Sequence, residues 1–467
     1  MNGFAREYLK HNTKRGRITM NRVLLRKLLI VVVALLAIAG LAYGGGAKES
    51  GNGAASASKP ITLKFFTYEE IMRSKFDAIN ALYEKSHPNV KIEMVYVPSA
   101  DVNTKVDTTI LSGSQLDICY FNVKFDFLPR AAKGEFVGLN KYIAAEGKSF
   151  NDLYTIDASY NGQVYGLPGE VKLFLIWINK NDLEKVGLPQ PPLNWTWQDY
   201  RDYAKKLTWG SGPDKHYGSF GYVWDHYNVL ETYGIIKDNP YFKPDGSLNF
   251  ENPAFKQSLQ LRIDLEQVDK TEMPLSDVRS LNMSYLNAFL GGKASMLWMA
   301  TNIVPQIASV GQYPHDFVTT FAPMPVPPNG GHDGWTYGDN RFYSVGKTTV
   351  DAQAAYDYLR FFTTKGILMK GIGFSAAQGA GAASNNQVVD ALVANHPELY
   401  DIPALKSVIN NPKLFVNVWT NVPVYTSEID QMYQKQAELA VLGDQTPDQT
   451  IANAMKQGKD ILARYSK

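Results

Sequence analysis

Aromatic rings set among amides and charges recur along this chain. Tyr222, Trp224, Asp225 and Tyr227 form one group, and Trp335-Thr336-Tyr337-Gly338-Asp339-Asn340-Arg341 is the most polar-aromatic stretch of the sequence. A flat apolar ring face beside side chains that donate and accept hydrogen bonds is the chemistry a polyhydroxylated ligand requires. Trp224 stands beside Asp225, His226 and Asn228, company that suits a half-exposed platform better than a core position. Three carboxylates, Glu69, Glu170 and Asp225, are the first candidates for a bond-cleaving reading, since a glycoside hydrolase needs a pair roughly 5 to 9.5 Å apart across one bond. Other catalytic signatures are missing: the seven histidines include no HExxH, and there is no GxSxG elbow or P-loop. The single cysteine, Cys119, excludes an internal disulfide and a multi-cysteine metal site.

The elements that must position these groups alternate in type. Ile61, Leu63 and Phe65 have a strand period, Phe76, Ile79, Leu82 and Tyr83 a helical one, and His87-Pro88 ends that helix. Ile92, Met94 and Tyr96 alternate again, Val102, Val106 and Ile110 return to helix, and Leu116 to Phe121 is a short apolar strand. Strands alternating with helices predict parallel pairing under crossover helices. Leu173 to Ile178 opens a second such series with a run typical of a sheet buried on both faces. Thr196 and Asp199 predict a capping box before a helix with Trp197, Tyr200, Ala204 and Leu207 on one face. Thr446-Pro447-Asp448-Gln449 predicts a capped helix presenting Ile451, Met455 and Leu462. Two α/β series exceed one core, so the fold class is α/β with two lobes, the joint near Gly166-Leu167-Pro168-Gly169 and the ligand in the cleft between them.

The first 46 residues carry eight basic side chains against one glutamate, then the apolar run Leu28 to Ala39, then small residues. This is the order of a secretory signal peptide, 1–46, followed by a flexible tether, 47–59. An uncleaved membrane anchor is the alternative, and Met20 opens a more ordinary leader than Met1. With no cysteine beside the cleavage region, a lipoprotein anchor is not expected, and the protein is read as periplasmic or cell-surface. The body holds 39 basic and 44 acidic residues, which argues against a phosphate-tracking nucleic-acid binder.

Four stretches, taken in order, carry a resemblance. They are Leu116-Asp117-Ile118 after Ser112-Gly113; Gly162 to Pro168 followed by Ile178-Asn179-Lys180; Asn194-Trp195-Thr196-Trp197; and Phe289 to Met296. Together they resemble the extracellular solute-binding proteins of bacterial ABC importers, specifically the large carbohydrate-binding, maltodextrin-type group. The resemblance implies a type II periplasmic-binding-protein-like fold with three inter-lobe crossovers, near Pro168, Thr319 to Pro323, and Gly371 to Ala383. It divides the body into lobe I (60–168 and 320–375) and lobe II (169–319 and 376–467). It also implies a sugar ligand, a membrane permease as partner and, for this reading, a monomer with no enzyme activity, cofactor, metal or nucleic acid. A secreted glycoside hydrolase is the competing reading.

Site residues follow from the same resemblance. Tyr68 and Glu69 would meet ligand at the end of the first strand, although Thr67 or Tyr68 as a helix cap is the plainer role. Phe121, Asn122 and Lys124 match the cluster after the third strand, while Asp117 reads as structural. Glu170 and Lys172 follow the first crossing, and Trp224, Asp225 and Tyr227 come from the second lobe. Trp298 has two readings, a ligand contact or a packed ring. Trp335, Gly338, Asn340 and Arg341 would approach from the first lobe, Gly338 by lacking a Cβ.

Overall fold

The alternation at Ile61, Leu63 and Phe65 is a strand in the computed structural model, which describes residues 59–98, 101–122, 124–221, 225–327, 333–379 and 382–465. The expected leader, and all but the last residue of the tether, lie outside them. β1 (Ile61–Thr67) leads to α1 (Arg73–Ser86), which buries Phe76, Ile79 and Tyr83 and stops where His87 precedes Pro88. β2 (Val90–Tyr96) pairs parallel with β1 from Ile61↔Val90 to Thr67↔Tyr96. After α2 (Val102–Leu111), β3 (Ile118–Phe121) takes the other side of β1, also parallel. Asp117 has the structural place expected of it: it accepts from Lys64 N at 2.7 Å and Val350 N at 2.8 Å, pinning the sheet to a distant turn. α3 (Lys124–Ala132) follows β3.

The Gly-Leu-Pro-Gly stretch begins one continuous strand, β4 (Gly166–Asn179), every residue of which is buried. Its second half pairs antiparallel with β5 (Met296–Ala300) and β6 (Thr319–Ala322). Its first half pairs antiparallel with β7 (Trp335–Val345) and β8 (Phe374–Ser375), with an irregularity in register between Pro168 and Val171. β7 in turn pairs antiparallel with β3, giving the order β2-β1-β3-β7-β4-β8 on one side, and parallel with β9 (Phe415–Asn417). One strand is thus shared by two groups of strands. The expected parallel pairing of the Leu173 to Ile178 run does not occur. A strand covered on both faces is apolar whichever way its neighbours run, so the run reports burial and not direction.

Helices cover both groups. α4 (Trp197–Lys206) has the predicted capping box, Thr196 N donating to Asp199 Oδ2 at 2.7 Å and Asp199 N to Thr196 Oγ1 at 3.1 Å. α5 (Pro253–Ile263) follows. α6 (Ala352–Phe361) continues through a π-turn into α7 (Ile367–Lys370), and α8 (Ala382–Leu392), α9 (Thr426–Val441) and α10 (Pro447–Tyr465) complete the fold. Gln449 N donates to Thr446 Oγ1 and Thr446 N to Gln449 Oε1, capping α10 as predicted. Its buried centre is Thr450, Ala454, Gly458 and Ile461, with Ile451, Met455 and Leu462 flanking. Small residues there let α10 lie close to Ile429 of α9 and to Leu248.

Candidate ligand site at the shared strand

The chain emerges from the carboxyl ends of β1 and β3 beside the first half of β4. Parallel pairing brings these ends together, the position where open α/β sheets bind ligands. Tyr68 and Glu69 follow β1, and Asn122 follows β3. Tyr68 OH donates to Asn122 Oδ1 at 2.9 Å and accepts from Arg341 Nη2 at 3.2 Å. Beneath them lie four buried charges. Arg341 of β7 pairs with Glu69 and, through Nη1 at 2.8 Å, with Glu170 of β4. Lys370 Nζ at the end of α7 donates to Glu69 at 2.5 Å and to Glu170 at 2.9 Å. Tyr343 OH donates to the second Glu170 oxygen at 2.8 Å.

Two cations against two carboxylates make this cluster neutral, which is what allows it to be buried. Burial by itself would raise the Glu170 pKa, but the charges of Lys370 and Arg341 outweigh it and hold the group down at about 2. A glycosidase acid needs the opposite shift, because it must carry a proton near neutral pH. Glu170 therefore serves as a fixed anion, and Glu69 is engaged by the same two cations.

The fifteen residues singled out from sequence divide clearly. Tyr68, Glu69, Asn122, Glu170 and Arg341 come together in this cluster. Lys172 lies two residues beyond Glu170 on β4, register-paired with Asp339 of β7. Phe121 does not reach the site: it is 1% exposed and packs between Phe127 and Phe136. Tyr227 and Trp298 are also interior, 5.6 Å apart, with Tyr227 OH on Glu272 and Trp298 against Phe174. Rings inside a fully buried strand or over a buried ion pair face the core: Phe121 and Tyr227 are packed there rather than presented to a cleft, and Trp298 takes the packed one of its two readings. Gly338 makes room for Val416 and Val418, whose side chains fill the space a Cβ would need. Trp335 packs on Phe415 at 4.6 Å, and Asn340 is buried, its amide donating to Arg341 O at 3.2 Å. Lys124 is 4% exposed and spans two segments, donating to Asp157 Oδ2 and Thr420 O at 3.1 Å each. Trp224 and the side chain of Asp225 lie outside the described residues.

Sequence reasoning did not single out Lys370, Tyr343 or Asn302. Thr301 Oγ1 accepts from Leu173 N at 3.3 Å, which sets Asn302 beside β4; its Oδ1 is buried with no partner among the described residues. Among the described residues no cluster of three or more His, Cys, Asp or Glu could hold a metal, and no helix is long and apolar enough to cross a membrane.

Comparison with known proteins gives a consistent picture. A putative ABC transporter periplasmic-binding protein of Escherichia coli, YcjN, is 24% identical over 291 residues, 60% of this chain and 63% of that protein, so the chain spans less than two thirds of its length. A multiple sugar-binding protein of Streptococcus mutans is 25% identical over 335 residues, covering 68% of this chain and 74% of its own. The ABC substrate-binding protein Lmo0181 of Listeria monocytogenes, solved with cycloalternan, superposes with a TM-score of 0.69 at 19% identity over 87% of this chain and 99% of that one. This likeness shows the two-lobed α/β fold. The family model for bacterial extracellular solute-binding proteins matches residues 67–368, well over half of the sequence, and the chain belongs to that family.

Proposed function

We propose that this protein is the solute-capturing component of an ABC importer and that its solute is a sugar or oligosaccharide, held between two lobes that close over it. The observation that carries the reading is β4, one unbroken strand shared by two groups of strands, with a polar cluster at its first half. Strands common to both halves are the natural axis for a rotation that opens and closes a cleft. The names of the Streptococcus and Listeria relatives supply the ligand class. On this reading Tyr68, Asn122 and Lys172 meet the sugar from one side. Trp224, Asp225 and Asn302 meet it from the other. Glu69, Glu170 and Arg341 hold the first set in place.

Capture works through differential affinity. Shifting an open–closed equilibrium from 1:99 to 99:1 takes about 5.5 kcal/mol of preference for the closed state. Micromolar affinity corresponds to about 8.2 kcal/mol, enough for that shift. The closed, monomeric protein, exported behind its leader to the periplasm or cell surface, then docks on a permease that reads the relation of the lobes. The lobe boundaries near residues 168, 319 and 375 belong to the same proposal.

A thermal-shift screen against mono- and oligosaccharides tests the ligand class, because a ligand that binds only the native state raises the melting temperature. At least one sugar should stabilise the protein. Stabilisation by another solute class and by no sugar would overturn the assignment, and release of reducing ends from glycosides would overturn the non-catalytic reading.

A further inference from the structure

Alternation along β4 puts Glu170 and Lys172 on one face and Val171 and Leu173 on the other. Behind that second face lies a cavity of about 640 Å³. Val171 and Leu173 form its floor, and Ile156, Phe374, Leu414 and Val418 are among its walls. None of the fifteen candidate residues lines it. Its volume is within the range of roughly 300 to 1,000 Å³ common for small-molecule sites.

The polar groups at its edge are unequal. Asp238 is held in a left-handed conformation, φ +73°, with its carboxylate accepting from Thr420 N at 2.5 Å and Asn421 N at 2.9 Å. Gln378 donates to Asn151 O at 2.9 Å. Lys237 is different: it is exposed, its Nζ stands 5.6 Å from the centre of the Phe415 ring, and it has no ion pair among the described residues. A mainly apolar chamber, with Thr155, Ser375 and Asn385 also in its wall, thus has one cation without an ion pair among the described residues, Lys237, beside a carboxylate already satisfied by backbone N–H groups.

We propose that this cavity is a second binding site, separate from the sugar cleft, for a small amphipathic carboxylate whose aliphatic or aromatic body fills the chamber while its carboxylate meets Lys237. The apolar body accounts for affinity and the ammonium for the preference over neutral analogues.

Octanoate and 1-octanol, titrated calorimetrically into the full chain without sugar, test this. Octanoate should bind at least tenfold more tightly than octanol. Lys237→Glu should weaken octanoate about tenfold or more and leave octanol within twofold. Leu414→Trp, which fills the chamber, should abolish both; if that variant does not fold, Asn385→Trp at the cavity wall replaces it. No binding of octanoate, or binding indifferent to Lys237→Glu or to the filling variant, would overturn the proposal. Since no sugar is present, failure of the sugar assignment leaves this outcome untouched.

Discussion

Two buried charge networks underlie the two sides of the proposed cleft, and they are built differently. Beneath Tyr68 and Asn122, Arg341 and Lys370 face Glu69 and Glu170, charge for charge. In the other half, Arg262 of α5 is the one cation paired with Glu272 and Glu266 among the described residues, under Gly221 and Tyr227 that flank the segment carrying Trp224. In the balanced network both carboxylates have cations, and Glu170 is pulled down to about 2. In the unbalanced one, burial wins over Arg262 and the Glu266 pKa is raised. Burial pushes every carboxylate the same way, so the number of opposing charges decides the outcome.

The largest effect should come from unbalancing the first network. Lys370→Met leaves two buried carboxylates to one cation and should cost about 3–5 kcal/mol in urea unfolding. Glu266→Gln, which removes the surplus acid of the second network, should cost less than about 1 kcal/mol. Equal losses would break the comparison. In sugar titrations, Trp224→Ala should weaken binding by about 1–3 kcal/mol, and an unchanged affinity would return that ring to the core.

The two halves should also respond oppositely to pH. The depressed Glu170 contributes stability that is complete above its unfolded pKa, about 4.3, and is lost as pH falls toward about 2. Glu231, in the Asp225–Gly234 segment of the other half, is raised by burial to about 7, so its contribution is lost as pH rises through that value. Melting temperatures from pH 2 to 9 should decline at both ends, and Glu231→Gln should flatten only the upper decline. A smaller loss of sugar affinity than that of Trp224→Ala is expected from Tyr68→Phe, which removes the hydroxyl between Asn122 and Arg341 and should cost roughly 0.5–1.5 kcal/mol.

Local chemistry was legible in the sequence. The caps at Thr196 and Thr446 and the stop at His87-Pro88 follow from neighbours a few residues apart, and the parallel arrangement of β1 to β3 from the alternation of strand and helix. Charge partners were not legible, because Lys370 lies 301 residues from Glu69 and 200 from Glu170. Hence Glu69, Glu170 and Arg341 were each named from sequence in separate stretches, while Lys370, the cation that joins them in one network, was passed over. Aromatic type also misled. Phe121 and Trp298 resemble platforms by composition, yet each sits in a strand buried on both faces, and burial of a ring depends on what the rest of the chain lays over it.

Closure on a sugar is the centre of this account, and small-angle X-ray scattering of the purified protein tests it most directly. Addition of a saturating sugar that stabilises the protein should reduce the radius of gyration as the two halves rotate about β4. A scattering curve identical with and without that sugar would contradict capture by closure.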